Sequence, residues 1–186
     1  MKSIAYCFGR YSPVTRGHIE HIQAVIDYAK EFKMEYGVYT SNTMDIKKNP
    51  LPPHIKIDYI QKAIPGVTVG RAVNMFTLLD ELISKHYTNI VYFAGSDYFD
   101  DPVQKTMFDR LTAHALKSGV TLTSISSGNR TEGISGTALR NAVLQNDFTT
   151  FYKASPLGIG GITLVDVQRM FAECGIGLKP FHGLKS

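Results

Sequence analysis

The chain has 186 residues, 44% of them hydrophobic, and carries a formal charge of +4 with a pI near 9.0. That length suits one domain able to bury a core without staples, and no apolar run approaches the roughly 20 residues that a membrane-spanning helix needs. The basic residues are scattered apart from Lys47-Lys48, which disfavours a binder of long nucleic acid and suits small phosphorylated ligands.

In chain order, strand-like apolar runs at Ser3–Phe8, Met34–Thr40, Val67–Val69, Asn89–Ala94 and Val120–Ser124 alternate with helical periodicity. The helical stretches are Gly17–Phe32, Pro53–Ala63, Asn74–Lys85, Pro102–Lys117, Thr137–Gln145 and Leu164–Glu173. Thr15 and Gly17 introduce the first helix, Pro53 suits a first turn, Asp100 and Asp101 suit a cap before Pro102, and Gly66 and Gly119 follow helix ends. Such alternation predicts an α/β fold: a Rossmann-like, doubly wound parallel sheet of about five strands with helices on both faces. The first strand is apolar on both faces and is expected to be central. Right-handed crossovers then put the loops after Phe8, Thr40, Ala94 and Ser124 at one edge of the sheet, where ligands bind. Residues 152–186 read as a helical extension of a single 1–186 domain.

Cys7 and Cys174 form no Cys-x-x-Cys pair and read as reduced, buried fillers. The start lacks the basic flank and long apolar core of a secretory signal, so a cytoplasmic setting is expected, and the Asn129-Arg-Thr131 glycosylation match has no consequence there. No Gly-x-x-x-x-Gly-Lys-Ser/Thr loop, Gly-x-Gly-x-x-Gly turn or Gly-x-Ser-x-Gly elbow is present, which disfavours P-loop kinases, dehydrogenases and the usual hydrolases.

Chemistry concentrates in the loops. After the first strand, Gly9 is read as permitting a turn closed to other residues, Pro13 stiffens the loop, and Gly17 leaves a phosphate room beside the chain. His18 then falls in the first helical turn, where unpaired N–H groups favour anions. His21, at i+3, reads as an ordinary helix-face histidine. Ser135 or Thr137 can cap a later helix, with Arg140 about one turn in. Gly95 and Asp97 follow the fourth strand, where an Asp beside Gly and Ser also fits plain turn chemistry. Ser41, Lys47 and Lys48 lie in a polar loop after the second strand, where ammonium groups attract an anionic ligand.

The run Thr15-x-Gly17-His18 resembles a signature of the nucleotidyltransferase superfamily, and Ile134-Ser-Gly-Thr-Ala-Leu-Arg140 is similar to its second, commonly Ile-Ser-Ser-Thr-x-x-Arg. Gly136 stands where the family usually has Ser. The resemblance implies transfer of a nucleoside monophosphate, most simply AMP from ATP with Mg2+, onto a phosphate-ester acceptor with release of pyrophosphate. It implies nucleotide contacts at Gly9, Arg10, Thr15, Gly17, His18, Gly95, Asp97, Ser135, Thr137 and Arg140. Acceptor contacts fall at Ser41, Lys47 and Lys48, with His18, Arg140 and Lys47 nearest the chemistry and no protein-bound metal. Arg130 is a further candidate for closing over pyrophosphate.

The short chain, the leading Thr and the Lys-Lys-Asn-Pro-Leu loop look most like small nicotinamide-mononucleotide adenylyltransferase relatives, including virus-encoded ones acting in a host cytoplasm. Pantetheine-phosphate adenylyltransferase and CTP-using enzymes stay open as alternatives, as do a non-catalytic nucleotide-binding regulator and an RNA-binding fragment. The expected partners are small molecules rather than nucleic acid or membrane, and a homo-oligomer is left open.

Overall fold

The computed structural model describes residues 1–95, 100–127 and 134–182, with side chains through 178. Its five strands are β1 (Ser3–Gly9), β2 (Glu35–Ser41), β3 (Val69–Ala72), β4 (Asn89–Ala94) and β5 (Thr121–Ser126). They form a parallel sheet in the order β3-β2-β1-β4-β5. Ser3 pairs with Asn89 across β1 and β4, and Asn89 with Thr121 across β4 and β5. β1 is central, and the unbroken buried run Ile4, Ala5, Tyr6 and Cys7 accounts for that place: a strand covered on both faces has no polar side. The strand order reverses between β1 and β4, as in doubly wound nucleotide-binding folds.

The helices are α1 (Arg16–Glu31), α2 (Pro53–Ala63), α3 (Met75–Ser84), α4 (Pro102–Lys117), α5 (Gly136–Leu144), α6 (Phe148–Ala154) and α7 (Leu164–His182). Their starts have local causes. Pro53 occupies the first turn of α2, Asn74 and Thr77 form a capping box on α3, and the carboxylates of Asp101 and Asp147 cap α4 and α6. Gly66 and Gly119 take positive φ just beyond helix ends. None of the described helices is long and apolar enough to cross a membrane.

Three readings of the sequence need correction. β3 runs over Val69–Ala72 rather than Val67–Val69, because Val67 N–H bonds Ile64 O in the turn that closes α2. The seven-residue α6 carries too short a pattern to be read by periodicity. α7 continues past Glu173 through Gly175 and Gly177 to His182.

The chain forms two compact units. In the first (1–8, 21–39 and 72–130), Leu78, Leu79 and Leu82 of α3 form one stripe and join Ile4, Tyr6, Ile90, Tyr92, Leu111 and Leu122 in the core. Each such fully buried leucine contributes about 1.5–3 kcal/mol.

In the second unit (9–20, 40–71 and 131–186), Leu51, Cys174 and Leu178 form a small core with Ile55 and Val143. Gly177 permits the close approach of α7 to the loop before α2: a Cβ there would lie 2.2 Å from Pro50 O. Asp166 caps α7, accepting from Thr163 N at 3.0 Å, and pairs with Lys62 of α2 at 2.6 Å. The Lys62 hydrogen bond, followed by those from Thr163, holds the Asp166 carboxyl at about 2, below its usual 3.8. A carboxyl lowered on folding contributes stability above its unfolded pKa and loses it as pH falls through the folded one. Asp166→Asn should therefore flatten the loss of stability between pH 3.8 and about 2, read from denaturant midpoints against pH.

Candidate functional site

The first motif folds as a reciprocal cap. Thr15 Oγ1 accepts from His18 N at 3.1 Å, and His18 Nδ1 accepts from Thr15 N at 3.1 Å. Histidine here takes the place that Glu or Gln holds in a capping box. Because Nδ1 is an acceptor, the neutral ring carries its proton on Nε2, and that edge is a donor. Thr15 is buried, so the cap is shielded from water. Tyr11, at φ 48°, lays its ring edge-on to His18, with centroids 5.2 Å apart and planes at 85°. It also covers Gly9, where a Cβ would meet the Tyr11 ring at 2.9 Å. The expectation that Gly9 supplies the unusual backbone is thus corrected: Tyr11 takes the left-handed conformation, and Gly9 supplies space for its ring.

The second motif meets the first. Ser135 Oγ accepts from Ala138 N at 3.0 Å and so caps α5, which decides between Ser135 and Thr137. Thr137 Oγ1 instead accepts from Arg140 Nη2 at 3.1 Å, while Arg140 Nη1 donates to Ser12 O at 3.0 Å. A methyl on Gly136 would sit 3.0 Å from Arg140 Nη1, 3.9 Å from His18 Cε1 and 3.9 Å from Pro13 O. The imidazole and the guanidinium therefore both come within 4 Å of one point, at the first residue of α5. A serine at 136 would require the guanidinium tip to shift by a few tenths of an ångström. At Gly17 a Cβ would find only ordinary contact, 3.6 Å from Ile134 Cγ2, so protein packing does not demand that glycine.

Positive charge gathers around these groups. Burial pulls Arg140 below the usual guanidinium range, and Arg10 pulls the same way. Among the described residues, the hydrogen-bond partners of Arg140 are neutral oxygens. Arg10 is exposed and offers its carbonyl to Thr40 Oγ1 at 3.3 Å.

The loop after β2 is shaped from within. Asp45 Oδ1 accepts from Lys47 N at 2.8 Å and Lys48 N at 2.6 Å, leaving both lysine side chains on an exposed turn. Ser12 Oγ accepts from Leu51 N at 2.9 Å, so one buried serine holds this loop by its hydroxyl and Arg140 by its carbonyl.

Lys56 was not legible as a site residue, although a signal exists. It stands with Tyr59, Ile60 and Ala63 on the buried face of α2, at helical spacing, where an apolar residue belongs. Its ammonium donates to Ser41 O, Ser41 Oγ and Asn49 Oδ1. Burial, followed by Arg10 and Arg71, lowers its pKa to about 8.

Gly95 follows β4 in the first unit, and Asp97 and Arg130 lie outside the described residues. His21 Nδ1 meets Ser127 Oγ at 2.5 Å within the first unit, and Arg16 donates to Leu157 O at 3.0 Å. Among the described residues no group of three or more His, Cys, Asp or Glu side chains could hold a metal ion.

A doubly wound parallel sheet with two helix N-termini, an imidazole and a guanidinium near one point is an arrangement suited to a phosphate-bearing ligand. Residues 6–142 match the family model described as cytidylyltransferase-like. The chain belongs to that family, within the nucleotidyltransferase superfamily. Among solved structures it is similar to Thermotoga maritima TmcAL bound with alpha-thio ATP, with a TM-score of 0.54 and 13% identity. At that identity the likeness is one of fold. The match covers 92% of this chain and 55% of the TmcAL chain, so the protein spans little more than half of that relative's length. No curated protein matches the sequence.

Proposed function

We propose that this nucleotidyltransferase moves AMP from ATP onto a phosphate-ester acceptor, with nicotinamide mononucleotide the favoured acceptor, and releases pyrophosphate. The observation that carries the reading is that His18 and Arg140 flank the same point, the Gly136 position at the start of α5. That TmcAL is bound with an ATP analogue on the same fold supports a nucleotide as ligand.

The acceptor's phosphate is already anionic, so it attacks the α-phosphorus without a protein base. A new P–O–P bond forms, the bond from Pα to the bridging oxygen of Pβ breaks, and the electron pair leaves with pyrophosphate. Positioning and charge stabilisation dominate such a reaction. His18, its Nε2–H directed by the Thr15 cap, donates to the α-phosphate oxygens as charge builds. The amides of Arg16 and Gly17 at α1, and of Gly136 and Thr137 at α5, are helix-terminal donors for neighbouring phosphates. Arg140, held in its fork by Ser12 and Thr137, neutralises the β and γ phosphates. Mg2+ enters as part of the nucleotide substrate. The reading places the reaction in a cytoplasm, where Cys7 and Cys174 stay reduced.

A panel decides the acceptor and the nucleotide. ATP or CTP is offered with nicotinamide mononucleotide, phosphopantetheine, choline phosphate and glycerol phosphate, with pyrophosphate release as the readout. Turnover fastest with ATP and nicotinamide mononucleotide is the expected result. Nucleotide binding without pyrophosphate from any pair would replace the enzyme with a regulator.

A further inference from the structure

The loop between Ser41 and Leu51 contains a hydrogen-bond arrangement that its own residues do not complete. Lys56, Asn49 and Ser41 are 0%, 1% and 4% exposed. Lys56 Nζ donates to Ser41 O at 3.0 Å, Ser41 Oγ at 3.1 Å and Asn49 Oδ1 at 3.0 Å, which uses all three ammonium hydrogens. Asn49 Nδ2 donates to Ser41 Oγ at 2.8 Å and to Thr43 O at 2.5 Å. Ser41 Oγ therefore accepts from two fixed donors, and a hydroxyl oxygen has two lone pairs. The serine proton has one role left, to be donated, and no hydrogen bond among the described residues takes it.

We propose that Lys56 is a positioning residue that, with Asn49, makes the Ser41 hydroxyl an obligate donor to a phosphate oxygen of the acceptor. The proposal rests on the acceptor reading above and deepens it. An ordinary serine can rotate to accept or donate, whereas this one has only its hydrogen to present to an incoming ligand. Only anions and other acceptors are welcome there, and a phosphate monoester meets the demand best. Lys56 adds positive potential from below without touching the ligand, because its hydrogens are committed. Its other charged neighbours are Arg10 and Arg71, which share its sign, and Asp45, which opposes it. An incoming phosphate supplies the negative charge that this cluster lacks. Burial makes the arrangement specific: a buried ammonium with neutral acceptors is costly unless every hydrogen is bonded. The exposed Lys47 and Lys48 carry no such constraint.

The test compares Ser41→Ala, Lys56→Met and the double variant, using the acceptor that the panel finds productive. Ser41→Ala and Lys56→Met should each raise the acceptor's KM roughly tenfold, as for loss of a hydrogen bond to a charged group, while the KM for ATP moves within about twofold. The double variant should be no worse than Ser41→Ala alone, because Lys56 acts through that hydroxyl. Additive losses, or equal rises in both KM values, overturn the proposal. If Lys56→Met does not fold, Ser41→Ala decides alone: an unchanged acceptor KM overturns it.

A second arm does not depend on turnover. Inorganic phosphate should slow tryptic cleavage after Lys47 and Lys48 in the native protein and fail to do so in Ser41→Ala. Equal cleavage in both proteins, with and without phosphate, overturns the proposal. A chain that binds phosphate this way yet turns over no acceptor instead refutes the enzymatic reading and leaves the anion seat standing.

Discussion

Replacing His18 with alanine should lower kcat by about a hundredfold or more while the fold survives, as for loss of an oxyanion-hole donor. The two ring nitrogens have separate duties, which allows a sharper experiment than alanine alone. Nδ1 completes the reciprocal cap with Thr15 N, and Nε2 is the nitrogen that the proposed mechanism turns to substrate. Asparagine places a side-chain acceptor near the Nδ1 position, and glutamine reaches nearer Nε2. His18→Asn should thus lose as much kcat as His18→Ala but keep a near-native Tm. His18→Ala should also lose cap stability, about 0.5–2 kcal/mol. His18→Gln restores the usual capping-box partner at that position and should keep a near-native Tm, with part of kcat recovered where its amide reaches towards the Nε2 position. Steady-state rates and thermal melts on the same three proteins separate the roles. Wild-type turnover in His18→Asn would remove Nε2 from the mechanism.

Arg140→Ala comes next in size, lowering kcat/KM for ATP by roughly 10–100-fold through loss of a charge-assisted contact to phosphate. Lysine is the informative replacement. Arg140 bonds Ser12 O through Nη1 and Thr137 Oγ1 through Nη2, and a single ammonium cannot span both supports in that planar geometry. Arg140→Lys should keep the charge and still fall about tenfold short of the native protein, mainly in the KM for ATP. The guanidinium also occupies space left open by Gly136, so Gly136→Ser displaces it by a few tenths of an ångström and acts in the same direction, more weakly. If Arg140→Lys matches wild type, the clamp is charge alone and the fork has no function.

Ser12 gives these two experiments a common meaning. Its carbonyl supports the guanidinium, and its hydroxyl takes the amide of Leu51 at the end of the acceptor loop. The same residue thus fixes the distance between the proposed triphosphate clamp and the proposed acceptor seat, without contacting either substrate through its side chain.

Much of this architecture was legible from residue order. The central place of β1 follows from four consecutive buried residues with no polar face, a property of composition over one short run. The helix starts at Pro53, Asn74 and Asp101 are local events, each settled within about one turn. The first motif is local too, since Thr15 and His18 cap one another three residues apart.

The errors arose where distant segments overrule local preference. The helix expected over Leu164–Glu173 continues through Gly175 and Gly177, where Gly175 faces Val143 and Gly177 faces Pro50. A glycine costs a helix roughly 1 kcal/mol, a penalty that close packing of two segments can offset. Gly9 read as a conformational device, and its purpose is room for a ring two residues away. Lys56 was not singled out in the sequence, because nothing local says that Ser41 and Asn49 will bond its ammonium.

Sequence by itself determined the parallel α/β sheet, through periodicity and caps closed within a turn, and the family, through the residues of its two motif segments. Tertiary structure alone decided that Gly136 lies between His18 and Arg140, that Ser12 serves both loops, and that a lysine is buried beneath Ser41. Those facts depend on residues far apart in the chain meeting at hydrogen-bond distance, and no local preference encodes such a meeting.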